Sequence, residues 1–140
     1  MKKISLFLLC AAVGLAAGCV SNPFAPLTVE KIGSEYQVKN NSLVLGNHIR
    51  LEERSVVRNA NDILVAQLRG QNVSKRDFHY EYRFIWMDAQ GLVVRGRTSD
   101  WRQGRTVAKQ DLFLQATAPT PEVVDFLCEV RFRRDGSRWE

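Results

Sequence analysis

Four arginines and a tryptophan fall within residues 95–105, RGRTSDWRQGR, with Gly96 and Gly104 among them. Guanidinium groups grip carboxylates and phosphates as planar forks, and an aromatic face beside them adds stacking. Arg95, Arg97, Trp101, Arg102 and Arg105 are therefore the candidate interaction surface. The plainer reading of the same residues is a solvated loop whose Trp101 packs back onto the edge of its domain. Catalytic chemistry has less to work with. His48 and His79 stand in separate stretches, without the paired cysteines or close histidine spacing of a zinc site. No HExxH, GxSxG, phosphate-binding glycine loop or calcium-loop pattern occurs. Cys128 lies in VVDFLCEVRF, where apolar neighbours favour a buried, inert thiol over a nucleophile. These residues point to a non-enzyme with no metal and no cofactor.

A different cysteine carries stronger chemistry. Lys2 and Lys3 precede an uncharged apolar run, residues 4–17, which is 14 residues long and leads directly into Gly18 and Cys19, so that LAAGC spans its end. A spanning helix needs about 20 residues, so this run is too short to cross a membrane and has the layout of a secretory signal. The cysteine directly after Leu15, Ala16, Ala17 and Gly18 resembles a bacterial lipobox. That resemblance implies cleavage before Cys19 and acylation of its sulfur and freed amine. Three acyl chains, at about 0.8 kcal/mol per buried methylene, would hold the protein on its membrane. Val20 and Ser21 follow where an inner-membrane lipoprotein would carry aspartate, which implies the inner leaflet of the outer membrane, with the domain facing the periplasm.

Removing residues 1–18 leaves 122 residues with 18 basic and 15 acidic side chains, a net charge of +3. That modest excess, in an exported chain, argues against nucleic acid as a partner. It leaves anionic lipid headgroups, an acidic envelope protein or peptidoglycan carboxylates for the arginines. About a hundred residues beyond a tether suffice for one small domain. With Cys10 lost and Cys19 acylated, Cys128 is the remaining thiol and no internal disulfide can form.

The elements that must position the arginines read as strands. In residues 79–87, HYEYRFIWM, Tyr80, Tyr82, Phe84 and Trp86 share one parity, the mark of a strand with one buried face. Asp88-Ala-Gln-Gly91 supplies a reverse turn into Leu92, Val93 and Val94. Phe126, Cys128, Val130 and Phe132 alternate in the last strand. Short apolar stretches at 43–45, 49–51, 56–57, 63–68 and 112–114 bring the count to six to eight strands without an amphipathic helix. The expected domain is all-β, an antiparallel immunoglobulin-like or fibronectin-like β-sandwich, with a small closed barrel as the alternative. Pro23, Pro26 and weak alternation place a tether before it. The expected organisation is residues 1–18 signal peptide, 19–41 lipidated cysteine and tether, 42–134 sandwich and 135–140 tail.

One resemblance covers roughly residues 40–133. Asn72 before a polar turn, then Tyr82, Phe84, Trp86, Asp88 and Gly91, then Trp101, Ala118, Pro119 and Phe126, resemble the pattern of the YcfL family of small periplasmic lipoproteins. The resemblance implies the sandwich fold and an envelope location, in the context of outer-membrane lipoproteins that activate peptidoglycan polymerases. It implies no activity, and Arg95 and Arg97 make this chain more basic than that pattern. The expected function is a membrane-anchored, non-enzymatic interaction or accessory module of the cell envelope. The alternative is a lipoprotein that binds a small ligand or peptidoglycan glycan, favoured by an aromatic pocket lined by Tyr80, Tyr82 or Trp101; a flat basic patch with exposed Trp101 favours the first. Oligomeric state is open.

Overall fold

The computed structural model describes residues 25–32 and 34–133. Period-2 alternation yields nine strands in these residues: β1 (Leu27–Ile32), β2 (Glu35–Asn40), β3 (Ile49–Arg58), β4 (Leu64–Asn72), β5 (Phe78–Met87), β6 (Val93–Val94), β7 (Arg102–Thr106), β8 (Asp111–Thr117) and β9 (Asp125–Phe132). One turn of helix, α1 (Leu43–Gly46), and a 3-10 turn (Arg97–Ser99) interrupt them. All pairings are antiparallel. One sheet runs β2-β1-β9-β5-β6, with β7 also on β5; the other runs β3-β4-β8. β6 pairs with the Trp86–Met87 end of β5 and β7 with its Phe78–Tyr82 end. The result is the expected antiparallel sandwich and not a closed barrel.

The core follows from parity. Phe78, Tyr80, Phe84 and Trp86 of β5 are buried, as are Phe126, Cys128, Val130 and Phe132 of β9. Register sets Tyr80 opposite Phe132, Phe84 opposite Cys128 and Trp86 opposite Phe126, so both strands turn their aromatic side the same way. Phe84 stacks on Trp86 with centroids 5.4 Å apart and lies 5.3 Å from Phe126. Phe78 and Phe132 meet edge to face at 5.5 Å, and His48 packs edge-on against Phe132 at 5.8 Å. Leu64, Ala66 and Leu68 of β4 and Leu112, Leu114 and Ala116 of β8 supply the other sheet's buried face. Fully burying one such side chain is worth roughly 1.5–3 kcal/mol, so these two faces dominate stability.

Three expectations change. The tether expected over residues 19–41 ends earlier, because 27–40 form the β1-β2 hairpin and β1 pairs with β9 through Leu27, Thr28 and Val29. The buried residues there are Leu27, Thr28 and Val29, a short run with a polar residue inside it, which is why the signal is weak. Residues 43–45 are α1 and not a strand, since the Ser42 hydroxyl accepts from Leu45 N at 3.2 Å and caps the turn. The stretches 49–51 and 56–57 are one strand, β3, with a register shift between Leu51 and Glu53. The signal peptide, Cys19 and the 135–140 tail lie outside the described residues.

Two turn residues behave as their chemistry dictates. Asp88 Oδ1 accepts from Gln90 N at 2.9 Å and Leu92 N at 2.8 Å, while Gly91 takes φ 79° to close the β5-β6 hairpin. Asn72 is fully buried. Its amide donates to Arg76 O at 2.9 Å and Val107 O at 3.0 Å, and its Oδ1 accepts from Ser74 N at 2.9 Å and Ser74 Oγ at 2.7 Å. Asn72→Asp should therefore destabilise by about 3 kcal/mol at neutral pH, because two carbonyls lose donors and face a buried carboxylate. Burial raises the new carboxyl's pKa, so the deficit should shrink as pH falls and the group protonates. Denaturant unfolding of both proteins across pH checks this.

Candidate functional site

Trp86 ties the core to the arginine-rich segment. Its ring is fully buried, and its indole N–H donates to Thr98 Oγ1 at 3.0 Å. A buried indole N–H left without a partner costs about 1–3 kcal/mol, so the 3-10 turn containing Thr98 is held against the core. Ser99 N closes that turn on Gly96 O at 2.9 Å. Gly96 permits close packing at this point, since a Cβ there would stand 2.6 Å from Pro119 Cβ. The expected loop is thus a short fixed turn followed by strand β7.

The five candidate residues separate. Arg95 and Arg97 flank Gly96, are exposed, and have no hydrogen-bond or ion-pair partner among the described residues. Arg102 donates from Nη1 to Gln115 O at 3.1 Å and so links β7 to β8 of the other sheet. Arg105 pairs with Asp77 at 3.4 Å, whose other oxygen accepts from Ala108 N at 2.9 Å. Trp101 is half-buried. The Arg131 guanidinium carbon lies 3.6 Å from its ring centroid and that of Arg83 lies 4.6 Å away.

Those two cations are themselves compensated. Register places Glu81 opposite Arg131 and Arg83 opposite Glu129 on the outer face of β5 and β9. Arg131 Nε reaches Glu81 Oε2 at 2.9 Å, and Arg83 Nε reaches Glu129 Oε2 at 2.6 Å. The Arg131 and Glu81 side chains are each 13% exposed. Trp101 therefore covers a cross-strand charge ladder, and the expectation of a basic patch centred on an exposed Trp101 gives way to this arrangement. Arg131 lies beside Trp101, and Glu81 neutralises its charge.

Sequence reading missed an apolar strip beside Arg95 and Arg97. Leu92 is 65%, Val93 55% and Val124 46% exposed. Val93 stands opposite Met87, and Val124 N donates to Met87 O at 3.0 Å, which puts both valines against the same residue. Read as a strand, Leu92 and Val93 count as core; β6 is too short and too peripheral to bury them.

The remaining chemical candidates are quiet. Cys128 is fully buried, and burial, helped by the Glu129 charge, holds its thiol far above the ordinary value. Burial and then neighbouring Tyr82 push the Tyr80 phenol up to about 12. Neither is an ionised nucleophile at neutral pH. Among the described residues no three of His, Cys, Asp and Glu converge to hold a metal, and no helix is long and apolar enough to cross a membrane. Tyr80, Tyr82 and Trp101 do not line a common pocket: Tyr80 is buried and Trp101 lies against arginines. Two depressions are present elsewhere. A cleft of about 80 Å³ opens between β2 and β3, walled by Val29, Tyr36, Val38, Leu51 and Arg54. A shallow groove of about 280 Å³ is lined by Arg54, Ser55, Gln67, Arg69 and Phe113.

Arg131→Met should destabilise by about 2–3 kcal/mol, because Glu81 is left desolvated without its cation. Adding Glu81→Leu should recover most of that loss, as a matched apolar pair replaces a matched ionic one. Chemical denaturation of the two single variants and the double variant provides the cycle.

Comparison with solved structures returns two of the same fold. A DUF1425 family member from Shewanella sp. pv-4 is 21% identical, with a TM-score of 0.52, covering 76% of this chain and 86% of that one. Campylobacter jejuni cj0090 is 23% identical, with a TM-score of 0.52, covering 59% of this chain and 85% of that one. No curated protein matches. Residues 36–132, from β2 through β9, match the family described as "Protein of unknown function (DUF1425)". That span contains both aromatic strands, Asn72, the Trp86–Thr98 link and the arginine-rich segment, and the chain belongs to the DUF1425 family.

Proposed function

We propose that this chain is a non-enzymatic lipoprotein of the bacterial cell envelope, of the YcfL type within its family. In this reading Cys19 is acylated, the anchor sits in the inner leaflet of the outer membrane, and the sandwich faces the periplasm as a recognition module. The observation that carries it is the succession, within residues 92–97, of the exposed Leu92 and Val93 and two exposed guanidinium groups without ion-pair partners among the described residues, Arg95 and Arg97, in a segment that the Trp86–Thr98 bond ties to the core. Arginine stems lie well on apolar surface while their heads seek carboxylates or phosphates. An anchored domain works at high local concentration, so a small surface of this kind is sufficient for a useful contact. The occupant that suits it is an acidic envelope protein, with anionic lipid and peptidoglycan carboxylates offering the same charge.

The groove bordered by the exposed Phe113, with Gln67, Ser55 and Arg54 beside it, favours a second reading in which the domain binds a glycan. An aromatic face beside polar side chains suits a sugar ring, although the site is open and Arg69 is already paired with Asp111 at 2.7 Å.

Anchoring has a direct readout. Intact-mass analysis of the membrane-extracted protein should give a triacylated chain beginning at Cys19, and Cys19→Ala should release it; a soluble chain with unmodified Cys19 would exclude the anchor. Recognition is read by capture from detergent-solubilised envelope with the full-length protein as bait. Arg95→Glu with Arg97→Glu should lower capture of an acidic partner about tenfold at low salt and flatten its salt dependence, with Glu52→Lys as the distant control. Equal capture by the reversed protein would reject this surface, and loss on Phe113→Ala alone would favour the groove.

A further inference from the structure

The edge of the larger sheet is self-complementary. β2 is bonded to β1 on one side and borders no strand on the other among the described residues, so alternate N–H and C=O groups of Glu35–Asn40 face outward unpaired. We propose that β2 pairs antiparallel with β2 of a second copy, about a two-fold axis through Gln37.

In that register Gln37 faces its own copy, Glu35 faces Lys39, and Tyr36 faces Val38, each of the last two pairs occurring twice. The charges support this register. Lys39 pairs within the chain with Glu30 yet remains 54% exposed, and Glu35 is exposed with no ion-pair partner among the described residues. Pairing brings Glu35 of the second copy beside each Lys39, which then lies between two carboxylates. Oppositely charged residues directly across antiparallel strands attract, and isologous contact repeats the gain.

The other side of β2 gives the apolar half of the argument. Val38 shares its parity with Tyr36 and Val29, turned toward the cleft between the sheets, yet is 46% exposed because that cleft is open. Tyr36 is held in place by Phe126, 5.1 Å away, by a hydrogen bond to Asp125 Oδ1 at 2.7 Å, and by Arg54 4.2 Å from its ring centroid. A fixed ring on one copy thus meets an exposed valine on the other, and the mouth of each cleft is covered. A lysine on an edge strand ordinarily deters pairing. Here Lys39 deters misregistered partners, since a shift of one residue sets it opposite Ser34 or Tyr36 instead of Glu35. This inference stands apart from the Arg95 and Arg97 surface.

The experiment uses the full-length chain in detergent. Gln37→Cys should give a disulfide-linked dimer on mild oxidation, whereas Gln67→Cys, on the other sheet, should not. By sedimentation, Glu35→Lys and Lys39→Glu should each weaken self-association about tenfold, and the two together should restore it. Monomeric wild-type protein with no Gln37→Cys cross-link above the Gln67→Cys control would overturn the proposal. So would a charge-swapped double variant that associates no better than either single variant.

Discussion

Trp86 is the largest fully buried side chain among the described residues, and it brings a polar atom into the core. Its indole N–H must find an acceptor or cost the fold about 1–3 kcal/mol. The acceptor comes from outside the sheet, from Thr98 in the turn after β6. One hydrogen bond thereby joins the packing of β5 and β9 to the placement of Arg95 and Arg97, whose side chains have no hydrogen-bond or ion-pair partner among the described residues. Gly96 against Pro119 completes the attachment, because a side chain there would force the turn outward. The rigidity of the basic segment is thus inherited from the aromatic core.

The same alternation that builds the core orders the charges outside it. When β5 turns Phe84 and Trp86 inward it turns Glu81 and Arg83 outward, and β9 answers with Arg131 and Glu129 in opposing register. Trp101 covers this ladder, which makes it a shield over compensated charge. Arg102 and Arg105 are likewise occupied, one across the sheets and one with Asp77. Of the arginines in the segment, the two nearest the hairpin tip are the ones whose charge is left for a partner. Leu92 and Val93, exposed just before them in the chain, add apolar surface to the same segment.

Much of the fold is legible in the sequence because its central strands alternate without interruption. Phe78 to Trp86 and Phe126 to Phe132 announce their buried faces, and Asp88 with Gly91 announces the turn between β5 and β6. The β1-β2 hairpin is obscure because it is peripheral: Lys31 breaks the apolar parity of β1, and β2 offers only Tyr36 and Val38. The apolar triplet at 43–45 reads as a strand until the Ser42 cap is given its weight. For the site, composition locates the segment but cannot rank its arginines. Their difference lies in the contacts of Arg102 with Gln115 and of Arg105 with Asp77, which the fold and not the local sequence brings together. The exposure of Leu92 and Val93 is equally a matter of where the sheet ends.

The central claim, that the aromatic core fixes the basic turn through one hydrogen bond, is most directly tested by amide hydrogen exchange on Thr98→Val. The substitution keeps the shape of the side chain and removes the acceptor, with Thr98→Ser as the variant that keeps it. Exchange at Ser99, whose amide closes the turn on Gly96, should quicken about tenfold or more in Thr98→Val, while amides in the centres of β5 and β9 keep their protection relative to one another. Unchanged protection at Ser99 in Thr98→Val, with Thr98→Ser behaving the same, would show that the turn is held by something other than Trp86 and would contradict the account.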